Sequence, residues 1–330
     1  MLSMDAFMYK CLLALPLFFL LLLSSCSDTE PDMTATPLSW ERSAHNPVFR
    51  DIIPDVNYQS ASDGHVFFDE EGQLNMIYSG DYNGVSSIKL STGNSWTEWQ
   101  DGQPLLYQAN ASGKDIYKET AFYRKASNGK HQIYYIGYEE EASYEAQIFL
   151  AEADQLEGPY TQSDEPLVSR GTIAGKNIYC ITSPSVVEHQ GQLYMAFLGW
   201  NDHPGKVTAV WVIGATSQDG GYTWSDFQLV DVPIGMEGQI TQHPDGSYVA
   251  VRTGPFGDSE AIYYASADHP FGPWDQAIDP ILVQQGPPLE KDEIIAPQIT
   301  IDPEDNVAYL FYTGADYQTG WWMMMAKKEE

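Results

Sequence analysis

Apolar and polar residues alternate along most of the chain in short runs, separated by turns rich in Gly, Asn and Asp, which is the pattern of half-buried strands. Five segments share one form: an apolar strand, a polar turn, then an aromatic-rich strand. They are Val66–Tyr78, Ala121–Tyr135, Ser185–Phe197, Ile240–Val251 and Ile299–Tyr312. Their turn residues Gly72, Gly129, Gly191, Gly246 and Asn306 stand 57, 62, 55 and 60 positions apart. Each reads as a β-hairpin around a residue of positive φ. A third strand follows every hairpin, at Ser86–Leu90, Ala146–Leu150, Val210–Gly214, Ala261–Ala265 and Trp321–Met325. Gly-Pro-aromatic turns, Gly158-Pro-Tyr and Gly272-Pro-Trp, then lead to outer strands ending at Val168 and Val283. Four strands recurring five times predict an all-β fold, a five-bladed β-propeller.

The fifth repeat stops after its third strand, at Ala326, and residues 327–330 read as a polar tail. The outer strand it lacks is matched by Ser39–Phe49 at the other end of the chain. The N-terminal segment is therefore expected to complete the last blade and close the ring, covering an open edge. The propeller spans residues 39–326 as one domain.

Composition narrows the partners. In 330 residues, 16 Lys+Arg against 46 Asp+Glu leave a net charge of −30. Such a field repels nucleic-acid phosphates and anionic lipid, so neither is a partner. With 43% hydrophobic and 13% aromatic residues, the chain can fill a large core, which excludes disorder.

The N-terminus carries a different signal. Lys10 precedes the apolar run Leu12–Leu23, too short for a spanning helix and suited to a secretory segment. Leu23-Ser-Ser-Cys26 resembles a bacterial lipoprotein box, which implies a signal peptide over 1–25 and a lipidated Cys26. Residues 26–38 then form a flexible tether, and the expected location is the bacterial outer membrane, on its periplasmic or surface face. The lipid anchor is the only membrane contact expected, and the protein is expected to be a monomer. Cys180 is left as the one thiol of the mature propeller, in the apolar stretch Ile178–Ile181, and reads as a packing residue.

Propeller topology sorts residues between the two faces of the ring. Residues before each inner strand and after each second strand converge on one mouth of the central channel. The first set is Asp63, Glu119, Ser183, Glu237 and Ala296; the second includes Tyr82, Tyr138, Trp200, Asp202, Asp316 and Tyr317. Acids and aromatics converging on one mouth suit a sugar: rings stack on its C–H faces, and carboxylates take its hydroxyls or cleave its bonds. Hydrolysis with inversion needs a proton donor and a water-activating carboxylate about 6.5–9.5 Å apart. Acids on different blades, facing across a channel, meet that need.

At these positions the sequence resembles glycoside hydrolase family 43 and its five-bladed relatives. Asp63-Gly-His-Val-Phe-Phe-Asp69 is similar to the Asp-Pro-x-Val-Phe-x-Asp opening, with Gly64 for Pro. Ala265–Trp274 and Ala151–Tyr160 resemble the signature between third and fourth strands, and Glu237-Gly-Gln239 resembles the Glu-Gly-Pro element of the general acid. The resemblance implies Asp63 as general base and Glu237 as general acid. A third family carboxylate, which orients the acid, falls on Ser183 here; Glu119 or Asp202 could supply that charge. The remaining candidate sugar contacts are Tyr82, Phe122, Tyr138, Ser183, Trp200, Arg252, Asp316 and Tyr317. The implied activity is inverting cleavage of a neutral oligo- or polysaccharide, with arabinofuranosyl or xylosyl linkages. The alternative is a propeller that binds glycans without cutting them, its acid set eroded at Ser183. No cofactor is called for; the resemblance allows a calcium ion in the channel, but no clustered His/Cys set or EF-hand loop signals a metal. His65 and His243 stand alone and read as satisfied side chains. Ser217–Trp224 resembles the Asp-box of sialidases. It falls on the face away from the mouth, where Asp219 and Trp224 would serve folding. With only five Arg in the chain, sialidase chemistry is not expected.

Overall fold

The computed structural model describes residues 40–53, 58–233, 238–277 and 279–328, the side chain of Pro204 apart. Five antiparallel sheets follow one another in the chain. Blade 1 has its inner strand at Ser62–Phe68, then Leu74–Tyr82 and Val85–Ser95, with Glu98–Trp99 and Gln103–Leu106 along the outer edge. Blade 2 runs Tyr117–Lys125, His131–Tyr138, Gln147–Ala153 and Thr161–Gln162. In blade 3 the order is Cys180–His189, Gln192–Trp200, Val210–Ser217 and Ser225–Leu229. Blade 4 comprises Ile240–Gln242, Tyr248–Phe256 and Ser259–Ala267, edged by Asp275–Gln276 and Leu282–Val283. Blade 5 is Glu293–Ile301, Ala308–Asp316 and Gly320–Lys328. The five-bladed propeller read from the repeats is therefore the fold.

The ring closes as expected. Trp40–Arg42 pairs antiparallel with the third strand of blade 5, Trp40 opposite Lys328 and Arg42 opposite Ala326. That strand runs through Lys328, two residues into the tail read from the sequence. One feature was not legible beforehand: Tyr58–Ser60 adds a parallel partner to the same strand, Gly320 facing Gln59. A Cβ on Gly320, whose φ is +120°, would fall 2.1 Å from the Gln59 carbonyl oxygen, so this junction admits only glycine.

Apolar side chains fill the wedges between blades. Phe67 of blade 1 stacks on Tyr123 of blade 2 with centroids 3.9 Å apart, and Trp96 of blade 1 stacks on Tyr309 of blade 5 at 3.7 Å. The Asp-box segment sits at the turn after the third strand of blade 3. Asp219 accepts bonds there from the amides of Tyr222 and Thr223 and the hydroxyls of Ser217 and Thr223, and Trp224 is buried against the blade 2–3 core.

The inner strands are not regular, and this irregularity builds the mouth. In blades 1, 2, 3 and 5 the ladder to the second strand slips, at Ser62/His65, opposite Tyr134/Ile136, at Thr182/Ser185 and at Ile295/Gln298. Each slip holds one non-glycine residue in left-handed backbone: Asp63 at φ 53°, Thr120 at 45°, Ser183 at 57° and Ala296 at 52°. Such a conformation costs on the order of 1–3 kcal/mol and persists only where its surroundings fix it. Neighbouring blades do the fixing. The Asp63 amide donates to Thr313 Oγ1 of blade 5, and the Thr120 amide to Ser79 Oγ of blade 1, both at 3.1 Å. Two residues further on, a side chain crosses to the adjacent inner strand. His65 Nδ1 accepts from Tyr123 N, Ser185 Oγ from Ile240 N, and Gln298 Oε1 from Val66 N. The bulges thus interlock the blades.

This register corrects the sequence-based placement. Asp63, Ser183 and Ala296 lie inside their strands rather than before them. In blade 2 the residue equivalent to Asp63 is Thr120; Glu119 precedes the bulge by one position.

Candidate active site

Carboxyl groups on three blades are coupled through Asp63, whose charge acts on both Glu119 and Glu293. Asp63, on blade 1, is 5% exposed. Its Oδ2 accepts from Ser62 Oγ at 3.0 Å, while Oδ1 is buried with no hydrogen-bond partner. A buried carboxylate oxygen left unpaired costs free energy, so a water or a ligand atom is the natural occupant opposite it.

Glu119 stands on blade 2 with both oxygens held by phenols. Tyr138 donates to Oε1 at 2.7 Å and Tyr144 to Oε2 at 3.1 Å. Burial, then the nearby charge of Asp63, pushes its carboxyl up to about 7, against the opposing pull of those hydroxyls. Glu293 opens the inner strand of blade 5, 2% exposed, and its Oε2 accepts from Tyr317 at 2.8 Å. Burial again leads, followed by the charge of Glu260; Asp63 and Asp292 add to it, and the carboxyl rises to about 8. Glu260 is itself raised by burial while its Oε2 accepts the Ile294 amide at 2.9 Å. Asp63 is thus flanked by two acids that hold protons near neutrality, each partly because of its charge.

The remaining predicted residues divide between this site and its walls. Tyr138 is 2% exposed and orients Glu119 rather than presenting a free ring. Tyr317 holds Glu293 and packs on Trp321 at 5.6 Å. Asp316 is partly buried, yet the Gln318 amide and Lys291 Nζ at 3.1 Å hold it below the usual carboxylate range. Trp200 donates from Nε1 to Thr182 Oγ1 at 3.1 Å, leaving its ring half-buried on the blade 3 rim. Asp202 accepts the His203 amide in the following loop. Arg252 lies over the Tyr263 ring at 4.4 Å, and Tyr82 leans on the exposed Tyr107 at 4.8 Å. Ser183 is buried, its hydroxyl 3.4 Å from Thr182 Oγ1. Phe122, two residues past the bulge, packs in the blade 2–3 core and edge-on to His65 of blade 1 at 4.3 Å. Glu237 and Cys26 lie outside the described residues.

Glu293 and Tyr144 were missed in the sequence. Glu293 stands three residues ahead of Ala296, where the repeat alignment began the strand; the Asp292-Glu293 pair heading Ile294-Ile295 was the available signal. Tyr144 follows the acidic stretch Glu139–Glu141 and carries no pattern of its own.

The residues at the four bulges supply one carboxylate and two hydroxyls, and among the described residues no three or more His, Cys, Asp or Glu side chains are grouped to hold a metal ion. His65 is spent on the Tyr123 amide, and burial pushes it down to about 3. His243, at the blade 4 hairpin turn, pairs with Asp245 at 3.1 Å.

No family model matches the sequence, and no curated protein is similar to it. Solved structures are. A thermostable family-43 glycoside hydrolase is 16% identical, with 84% of this chain and 91% of that chain covered at a TM-score of 0.61. An α-L-arabinofuranosidase from Podospora anserina in complex with cellotriose is 11% identical, over 89% and 98% of the two chains, at 0.64. An N-acetylgalactosamine deacetylase from F. plautii in complex with blood group B trisaccharide is also 11% identical, over 88% and 95%, at 0.62. At such identities the likeness is one of fold: the chain is a five-bladed propeller of the kind seen in family-43 glycoside hydrolases.

Proposed function

We propose that the protein is an exported, lipid-anchored glycoside hydrolase that cleaves a neutral glycan with inversion. The observation that carries this reading is the unpartnered Oδ1 of Asp63, set between two proton-holding acids on the adjoining blades. Asp63 takes the proton of a water that attacks the anomeric carbon, and a second carboxylic acid protonates the departing glycosidic oxygen. Family resemblance gives that second role to Glu237. Glu119, aimed by Tyr138 and Tyr144, supplies the third carboxyl that Ser183 does not. Arabinofuranosyl or xylosyl linkages are the first substrates to try, since an arabinofuranosidase is among the similar structures. Fold alone does not choose a sugar, as the deacetylase demonstrates.

A second reading is favoured by Ser183, a buried hydroxyl where a carboxylate is expected: a propeller that holds glycans without cutting them. The test is residues 27–330 on aryl glycosides and oligosaccharides, with the product anomer followed by NMR. Asp63→Asn and Glu237→Gln run alongside. Hydrolysis with inversion, lost in both variants, supports the enzyme. Retention of sugar with no turnover supports the binding module.

A further inference from the structure

Between blades 2 and 3 the chain makes an excursion that belongs to neither sheet. Gly171–Ile173 and Lys176–Ile178 pair only with each other, through a turn with Ala174 at φ 49° and Gly175 at 73°. The hairpin is anchored, not loose. Ile173 and Ile178 enter the blade 2–3 core, the Tyr179 amide donates to the Trp200 carbonyl at 2.7 Å, and Lys176 Nζ lies 5.3 Å from the Trp211 ring centroid. An ordered insertion that adds nothing to a blade, placed on the rim of a mouth, is where binding groups are expected.

Its inner side forms a cleft of about 450 Å³, lined by Gln147, Arg170, Asn177, Ile178, Tyr179 and Asn201. The lining is mostly uncharged hydrogen-bonding groups over a little apolar surface. Asn201 is committed to the Thr208 and Ala209 amides, which fixes the floor. Gln147 Oε1 accepts the Arg170 amide, leaving its NH₂ for another partner, and exposed Asn177 keeps both donor and acceptor. Arg170 is ion-paired with Glu145, so its charge is cancelled while most of its five N–H donors stay available. The cleft adjoins the Glu119 side of the mouth. Tyr179 donates to the Ser143 carbonyl at 2.7 Å, and the next residue, Tyr144, holds Glu119.

We infer that this cleft is a distal subsite, which binds one or more sugar units of a neutral glycan away from the bond that is cut. The inference rests on the glycan-cleaving reading above and adds the part of the substrate that reading leaves unplaced. Paired amides and a neutralised guanidinium match the vicinal hydroxyls of a sugar. An anionic glycan would meet a cancelled Arg170 inside a chain of net charge −30.

The test uses residues 27–330 carrying Asp63→Asn, on an array of neutral plant and algal oligosaccharides from mono- to hexasaccharide. The same protein with Asn177→Ala or Gln147→Ala is compared, and thermal unfolding checks that each variant folds. The cleft predicts that longer oligosaccharides lose about tenfold or more in affinity in both variants, while monosaccharides are unaffected. Equal binding by variants and parent overturns it, as does the absence of any neutral glycan whose retention depends on Asn177 or a preference confined to sulfated or uronic sugars. Turnover without cleft-dependent binding removes the subsite and keeps the hydrolase; cleft-dependent binding without turnover by the unmutated chain does the reverse.

Discussion

Arg42 and Glu290, 248 positions apart, are joined by two parallel hydrogen bonds of 2.9 Å, Nε to Oε1 and Nη2 to Oε2. Glu290 is 2% exposed and receives two further bonds, from Tyr312 Oη at 2.7 Å and the Gln285 amide at 2.7 Å. Arg42 Nη2 also donates to the Val283 carbonyl at 2.6 Å. One guanidinium therefore ties the N-terminal strand to the outer edge of blade 4, the segment that follows it and, through Tyr312, the second strand of blade 5. Three short ladder pairings alone would leave so short a closing strand free to fray.

Removing that guanidinium strands a buried carboxylate. Arg42→Ala is expected to destabilise the ring by roughly 3–5 kcal/mol, measured by urea unfolding. Arg42→Lys should recover little of it, because an ammonium cannot make the bidentate fork.

Asp63 shapes the protonation of both neighbours. Asp63→Asn removes a negative charge, which favours ionisation of Glu119 and Glu293, so each should titrate below its present position of about 7 and about 8. Carboxyl-carbon NMR of the two residues reads this directly. On any substrate that the wild type cleaves, the same variant should lose roughly two or more decades of rate. Unmoved titrations with normal turnover would place Asp63 outside the site.

The Asp219 turn should matter for folding and not for the mouth. Four bonds converge on this exposed carboxyl, and though slight desolvation opposes ionisation, those from Thr223, Ser217 and Tyr222 hold it down at about 2. Asp219→Ala is expected to cost about 1–2 kcal/mol in urea unfolding, leaving the binding and titration of the mouth unchanged.

Much of this was legible because a repeat states its own fold. Five turns near one spacing gave the blades, and a missing strand beside a displaced copy gave the closure at Trp40–Arg42. Asp63 was legible because its blade keeps the motif. Glu119 was found at a position one residue out of register, since a bulge inserts a residue without disturbing the alternation on either side of it. The packing of Phe122 was hidden for the same reason: which way it points depends on where the slip falls. Glu293 lay ahead of the aligned repeat, and its importance comes from burial beside Glu260 and Asp63, a property of three blades that no local pattern records. Tyr58–Ser60 pairs in parallel with a strand at the far end of the chain, which alternation cannot announce.

The two raised acids give the stability of the protein a definite dependence on pH. In the unfolded chain both glutamates titrate near 4.5, whereas in the fold Glu119 rises to about 7 and Glu293 to about 8. Between these limits the native state binds more protons than the unfolded one, so stability falls as pH rises. Their contribution is complete below pH 4.5 and is lost as pH climbs through 7 and then 8. The net charge of −30 works in the same direction by self-repulsion. The unfolding midpoint in urea should therefore drop between pH 5 and pH 9. Glu293→Gln separates the local cause from the global one, because a neutral amide keeps the shape of the protonated acid. That variant should be more stable than the wild type at pH 9, by on the order of a few kcal/mol, and closely matched to it at pH 5. A variant that followed the wild-type curve at both ends would mean Glu293 is ionised in the fold and holds no proton at neutrality.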